Sequence, residues 1–510
     1  MIWKIAKKEF LLNLMTFKFA VGTILGIVLM AVFMPILASD YQQRLKDYSS
    51  NVSYNEGELA KIKVYQCITP TIYRRPSVLS VFSIGLEKRL SDSAKIELKN
   101  IPIIDAGSAE VNPYLSVFPI FDAVLIIKVV IGVLALILAT DLVSGEKQQG
   151  TLILMLSNSI ARHQILFGKT VAGLMVLTIP VTATFIVGLI ILQVFPLIDL
   201  SAWDWARVGL MYIVSLIFVF VMFNVGLLFS CLSKNPAISL LLGLFFWILC
   251  GFVIPNLSIH LASKLRPQQT AEILQGRLQS IECEYKSEAE HLSYGGTFSS
   301  TEGAFGNYFH YICDQRALQT LSEYNNRIQP LNLQFAARNW EAKNNHLQSL
   351  LYQRELARNI SIISPLWLYE KITDSLAETD LASFEQFMTD VGLYRSQVIE
   401  YIRSRTNNFS SREFFTTCTP ADYDQLIEFE GQLKKKYKTM SEAKNEYEQW
   451  QKNMLDKKAP LDLRDFPRLV HNSHIWQTLK YVLQQIMMLV FFTFFFFALT
   501  FAVFQKYDVR

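Results

Sequence analysis

Residues 118–140 read FPIFDAVLIIKVVIGVLALILAT, and residues 141–169 continue as DLVSGEKQQGTLILMLSNSIARHQILFGK. The first half is apolar apart from Asp122 and Lys128. A helix needs ~20 such residues to cross ~30 Å of hydrocarbon, so this is a membrane span. The second half is polar again at once, with Asp141, Glu146 and Lys147. Within it Thr151 to Leu156 is apolar but far too short to span. That piece must lie on a membrane surface or against another protein. The spacing predicts a glycine bend, a charged pair, a short helix from near Thr151 and a return to the membrane.

Working outward, five more segments have the same character: 17–37, 170–195, 207–230, 237–257 and 482–504. Over all 510 residues the chain is 51% hydrophobic and only 18% charged, against roughly 25% charged in soluble domains. Orientation follows from Lys and Arg in the short loops, which mark the cytoplasmic side. Lys4, Lys7 and Lys8 precede the first span, and Lys147, Arg162 and Lys169 lie in 141–169. Lys234 sits in the 231–236 turn, and Lys506 and Arg510 lie in the tail 505–510. The short loop 196–206 has Asp199 and Asp204 and no basic residue. Both termini are therefore expected inside, with 38–117 and 258–481 outside. The apolar run from Phe17 to Leu37 lacks a convincing cleavage site and reads as a retained span. The net charge of +4, with no basic stripe, gives no reason to expect nucleic acid as a partner.

The expected fold class is a mainly α membrane protein with six transmembrane helices. It includes an N-terminal amphipathic helix over 1–16, a large, mostly helical extracytoplasmic domain and a small strand-containing outer lobe. Alternation at Ile62–Tyr65 and Val78–Phe82 predicts strands in the lobe 38–117. In 258–481, the segments 268–292, 331–358, 382–405 and 420–454 read as helices, broken near Gly295–Gly296, Pro365, Pro460 and Pro467. Two long antiparallel helices would suit 268–292 and 420–454. Cys67, Cys283, Cys313 and Cys418 lie outside, where disulfides persist. Cys283 with Cys313 is the preferred pair, with free buried thiols as the alternative, and the spacing does not resemble a zinc site.

Trp3, Ala6, Phe10 and Leu14 share one face of the first helix, which suits a surface-lying amphipathic segment. That helix is either a plain juxtamembrane anchor or a coupling element. In the second span Lys128 can snorkel, pair with Asp122, or line a pathway. Gly22 and Gly26 permit close helix approach, within the chain or to a partner. Gly168-Lys169-Thr170 looks like the end of a phosphate-binding loop, but His163 stands where that loop needs glycine. No nucleotide site is therefore expected in this chain. The seven histidines form no catalytic or metal spacing, so an enzyme is not expected.

The run from Asp141 to Lys169 resembles the segment between spans two and three of ABC-2-type transporter permeases. That family shows an acidic residue, a Gly-Glu, a charged stretch, Gly-Thr-Leu, an Arg turn and Gly-Lys before span three. Trp3–Phe10 (WKIAKKEF) is similar to the family's N-terminal elbow helix. The ending FQKYDVR, with Ile363–Tyr369 and 379–401, resembles a subgroup with a large outer domain between spans five and six. The resemblance implies that the elbow and the 141–169 coupling loop contact a separate ATPase. Glu9, Phe10, Glu146, Lys147, Gly150, Thr151 and Arg162 become its candidate contacts. It also implies two ATPase copies carrying ATP and Mg, a second permease, identical or paralogous, membrane lipids as surroundings, and a bacterial inner membrane. No cofactor is expected on this chain. An exporter is the leading reading, and a mechanical transducer whose outer domain acts on an extracytoplasmic partner is the alternative.

Overall fold

The computed structural model describes residues 2–97, 103–105, 121–157, 161–266, 271–292, 315–407, 420–438, 440–469 and 475–506. The first helix, α1 (Ile2–Leu14), ends where Thr16 caps the next by accepting from Phe19 N–H at 3.3 Å. Among the described residues, six helices are long and apolar enough to cross a membrane. They are α2 (Phe17–Leu59), α3 (Ala123–Gln148), α5 (Arg162–Gln193), α6 (Ala202–Leu232) and α7 (Pro236–Leu265), with Val482–Gln505 of α14 (Ile475–Gln505). The short α4 (Thr151–Ser157) lies between α3 and α5. Sequence signals for the starts are plain: Ser201 and Asp204 form a capping box, and Asn235 caps a helix with Pro236 at its first turn.

Inside lipid, packing holds helices together, since lipid tails are as apolar as the side chains they would release. Close approach therefore depends on small residues. At Gly226 of α6, an added Cβ would stand 2.8 Å from Ala139 Cβ and 3.0 Å from Leu136 O of α3. Gly22 and Gly26 face Leu134 and Ile131 of the same chain, so this motif serves contact between α2 and α3.

The far end of the bundle, opposite residues 2–16, departs from the expected lobe. Helix α2 runs on to Leu59 instead of ending near 37. The anticipated strands at 62–65 and 78–82 do not form; Val78–Val81 is a 3₁₀ turn. Leu79, Ser80, Val81 and Phe82 are all buried, so this run is enclosed on every side instead of alternating. The sheet is built from β1 (Thr71–Tyr73), β2 (Ser93–Lys95) and β3 (Ile103–Asp105), antiparallel in the order β1-β2-β3.

The rest of the far end is helical: α8 (Ala271–Leu292), α9 (Gln315–Ser361), α10 (Pro365–Leu376), α11 (Leu381–Arg405), α12 (Pro420–Lys436) and α13 (Met440–Asp456). The expected pairing of 268–292 with 420–454 is wrong. Helix α8 packs on α9 through Ile281, Ile328, Leu331 and Phe335. Tyr285 donates to Asn332 across that pair at 2.6 Å. Helices α12 and α13 instead share a core with α11, around Phe387, Val391, Leu426 and Tyr447. Four apolar faces of similar composition leave such a choice open to local chain connection. Cys283 is exposed and has no disulfide partner among the described residues, and Cys313, its expected partner, lies outside them.

Helix α10 re-enters the bundle. Tyr369 is fully buried, stacks on Phe218 of α6 with centroids 4.4 Å apart, and shares a 2.9 Å hydrogen bond with Ser215. Both α3 and α7 carry a π-helical turn beside α10, at Ile127–Ile131 and Leu249–Val253. Ser364, the α10 cap, donates to Cys250 O in the second of these at 2.6 Å.

Gly226→Ala is expected to cost about 1–3 kcal/mol through overpacking against α3. Gly57→Ala, with nothing within 4 Å, should gain about 0.5–1 kcal/mol of helix stability. Thermal unfolding of the purified protein in detergent checks both; equal effects would refute the packing argument.

Candidate functional site

At the end of the bundle holding residues 2–16, α1 turns Ala6, Glu9 and Asn13 inward, a spacing of three to four residues that marks one helical face. That face lies on the start of α5. At Gly168 of α5 an added Cβ would come within 2.9 Å of Ile5 Cβ, so the two helices approach closely. The next residue, Lys169, is 1% exposed. Its Nζ donates to Glu9 Oε1 at 2.9 Å and to Glu146 Oε1 at 2.8 Å. One ammonium thus ties α1, α3 and α5 together.

The expected glycine bend at Gly145 is absent, because α3 continues through it to Gln148. The reversal comes at Gly150, whose φ of +72° is a left-handed conformation that glycine adopts without strain. Glu146 and Lys147 therefore stand on a helix and point to different neighbours. Glu146 reaches Lys169, while Lys147 Nζ donates to Cys231 O and, at 3.2 Å, to Ser233 O. These carbonyls close the C-terminus of α6, where a cation meets the negative end of the helix dipole. Ser230 joins the same helices by accepting from Ser144 N–H at 2.9 Å and donating to Thr140 O at 2.7 Å. The charged pair expected after the bend is thus engaged inside the protein.

Exposure at this end belongs to other groups. Lys4, Lys7 and Lys8 are exposed on α1, and Thr151 opens α4. Leu152 is buried under α4, while Ile153 and Leu154 are 47% and 67% exposed. Phe10 is half-buried. Arg162 donates to Gln505 O, near the end of α14, at 2.5 Å.

At the far end Asp122 and Lys128 do not pair with each other. Asp122 caps α3, accepting from Leu125 N–H at 2.8 Å and from Ile84 N–H at 3.2 Å. Lys128, inside the π-turn, donates to Glu370 of α10 at 2.6 Å. Asp374 of α10 meets Lys371 at 3.0 Å, and burial pushes its carboxyl above the usual range. Glu378, left-handed at φ +57°, pairs with Arg207 of α6 at 2.5 Å. Glu370 and the bracing role of Lys169 escape sequence reading. Lys169 had a usable signal, a lysine entering an apolar helix; Glu370 had none, as its partner is 242 residues away.

A family profile described as ABC-2 family transporter protein matches residues 3–509. No curated protein matches the chain.

Lys169→Met should destabilise the protein by about 3–5 kcal/mol, because two enclosed carboxylates lose their counter-charge. Lys18→Met, at the exposed pair with Asp141, should cost at most about 1 kcal/mol. The comparison is read from unfolding midpoints in one detergent; similar losses would disprove the brace.

Proposed function

The chain belongs to the ABC-2 transporter family and is a membrane component of an ABC transporter, and on that premise we propose that α1 and the α3–α4–α5 turn form the docking face for a separate ATPase. The observation that carries this reading is the Lys169 junction. A force applied to α1 or α4 meets a rigid joint and passes into α3 and α5. The groups exposed at this face are the lysines of α1, Thr151 and the Ile153–Leu154 pair. Of the contacts expected from sequence, Gly150 and Thr151 act at the docking surface itself. Glu9, Glu146, Lys147 and Arg162 act behind it by holding the helices in place, and Phe10 packs alongside.

On this reading both termini lie in the cytoplasm of a bacterial cell, beneath the inner membrane. Two ATPase copies bind ATP and Mg and serve a pair of permeases, of this chain or a paralogue. Closure of the ATPases moves the paired bundles and exports a lipid-like or peptide substrate. The second reading, force transmission to an extracytoplasmic partner, is favoured by one feature. Helix α9, 47 residues long or about 70 Å, packs on α7 and leads directly into the re-entrant α10.

Leu154→Asp combined with Ile153→Asp should weaken ATPase capture by at least tenfold, about 1.4 kcal/mol, with the unfolding midpoint of the permease unchanged. Co-purification and ATPase activity in vesicles read the result. Undiminished capture would refute the docking face, and ATPase activity that no lipid or peptide stimulates would favour force transmission over export.

A further inference from the structure

A cavity of about 810 Å³ opens at the far end, where α7, α9, α10, α11 and the start of α14 converge. That volume suits one medium-sized ligand. Its floor is Gln485 of α14, only 9% exposed, and the side-chain oxygen Oε1 has no hydrogen-bond partner. A buried acceptor without a donor costs free energy that a bound N–H or O–H would return. Gln485 lies three residues inside the last apolar segment read from the sequence, 482–504, so the cavity floor is near the expected membrane boundary.

The other walls define what the donor belongs to. Asp380 and Glu385 supply carboxylates, and Lys371 and Arg354 supply cations. Arg354 pairs with Glu385 and Lys371 with Asp374, so the charges are ordered and of both signs. Trp367 and Ile259 add apolar surface, and Ile259 is 61% exposed on the flank of α7. Because each of these cations is already answered by a carboxylate, a singly charged ligand would unbalance the lining. A ligand with a cation, an anion and an apolar tail meets all of it.

We propose that the cavity binds one zwitterionic amphiphile with a primary ammonium and a phosphate, of the phosphatidylethanolamine kind. The ammonium donates to Gln485 Oε1 and sits by Asp380 and Glu385, the phosphate faces Lys371 and Arg354, and a chain leaves past Ile259. A quaternary ammonium has no N–H for Gln485 and fits less well. This goes beyond the docking of an ATPase and requires no transport, so it stands or falls separately.

The test uses the purified full chain in detergent, titrated with short-chain phosphatidylethanolamine, phosphatidylcholine or phosphatidylglycerol. Unfolding midpoints and lipid retention in native mass spectrometry are recorded. Phosphatidylethanolamine is expected to be retained about tenfold over the other two, the scale of one buried hydrogen bond. Gln485→Leu should erase that preference while the lipid-free protein unfolds at the same or a higher temperature. Equal retention of all three lipids, a preference for phosphatidylglycerol, no retained lipid, or an unchanged preference in Gln485→Leu would each overturn the site. If Gln485→Leu does not fold, Leu381→Trp, which fills the cavity from α11, must erase the same preference.

Discussion

A polar group removed from water costs free energy unless it finds a partner inside the protein, and this constraint shapes both ends of the bundle. It explains why Lys169 lies between two carboxylates instead of one, and why Lys147 reaches three carbonyls at the end of α6. It also governs the π-turns, where the hydrogen-bond ladder changes step. Lys128 O accepts from Trp247 Nε1 at 3.5 Å, and Cys250 O from Ser364 Oγ at 2.6 Å. Helix α10 is admitted among the spans because its polar groups are answered there: Tyr369 by Ser215, Glu370 by Lys128, and Asp374 by Ser83 and Lys371.

The two ends of the bundle are held by different chemistry. Near residues 2–16, one enclosed ammonium joins three helices. At the far end the links are a series of caps and ion pairs between segments remote in sequence. Leu86 N–H donates to Thr379 O at 2.9 Å, and Ser77 Oγ to Ala377 O at 2.5 Å. Both tie the loop after α2 to the turn after α10. Gly85 adopts a left-handed φ of +50° at this contact, where a Cβ would meet Thr379 O at 2.9 Å. The loop after α2 is thereby fastened to the same helix that enters the bundle.

The spans were legible because twenty apolar residues admit few other fates. That α1 and the short α4 are helices was legible from periodicity and length, but the inward face of α1 was not: Glu9 and Asn13 are buried, while Trp3 and Leu14 stay exposed. What escaped reading depended on partners distant in sequence. Val78–Phe82 alternates in chemistry but is buried on all sides by α2 and the spans, so its strand pattern was misleading. Helices α8, α9, α12 and α13 were visible as helices, but their pairing was not, since each has an apolar stripe that fits several others. The bend expected at Gly145 hid the partners of Glu146 and Lys147; only the unbroken helix turns them inward.

The contrast between the Lys169 junction and the surface around it bears on how motion would cross the bundle. Separating Lys169 from its partners leaves charge in a low-dielectric site and costs about 3–5 kcal/mol. The exposed Lys18–Asp141 pair between α2 and α3 is worth at most about 1 kcal/mol. A displacement imposed on α1 or α4 is therefore absorbed first where helices meet through exposed pairs, and α1, α3 and the start of α5 travel as one unit. That unit includes α3, which carries the Lys128 π-turn to the foot of α10. The path from one end of the bundle to the other is then a single rigid helix, with a local defect where it grips the re-entrant segment.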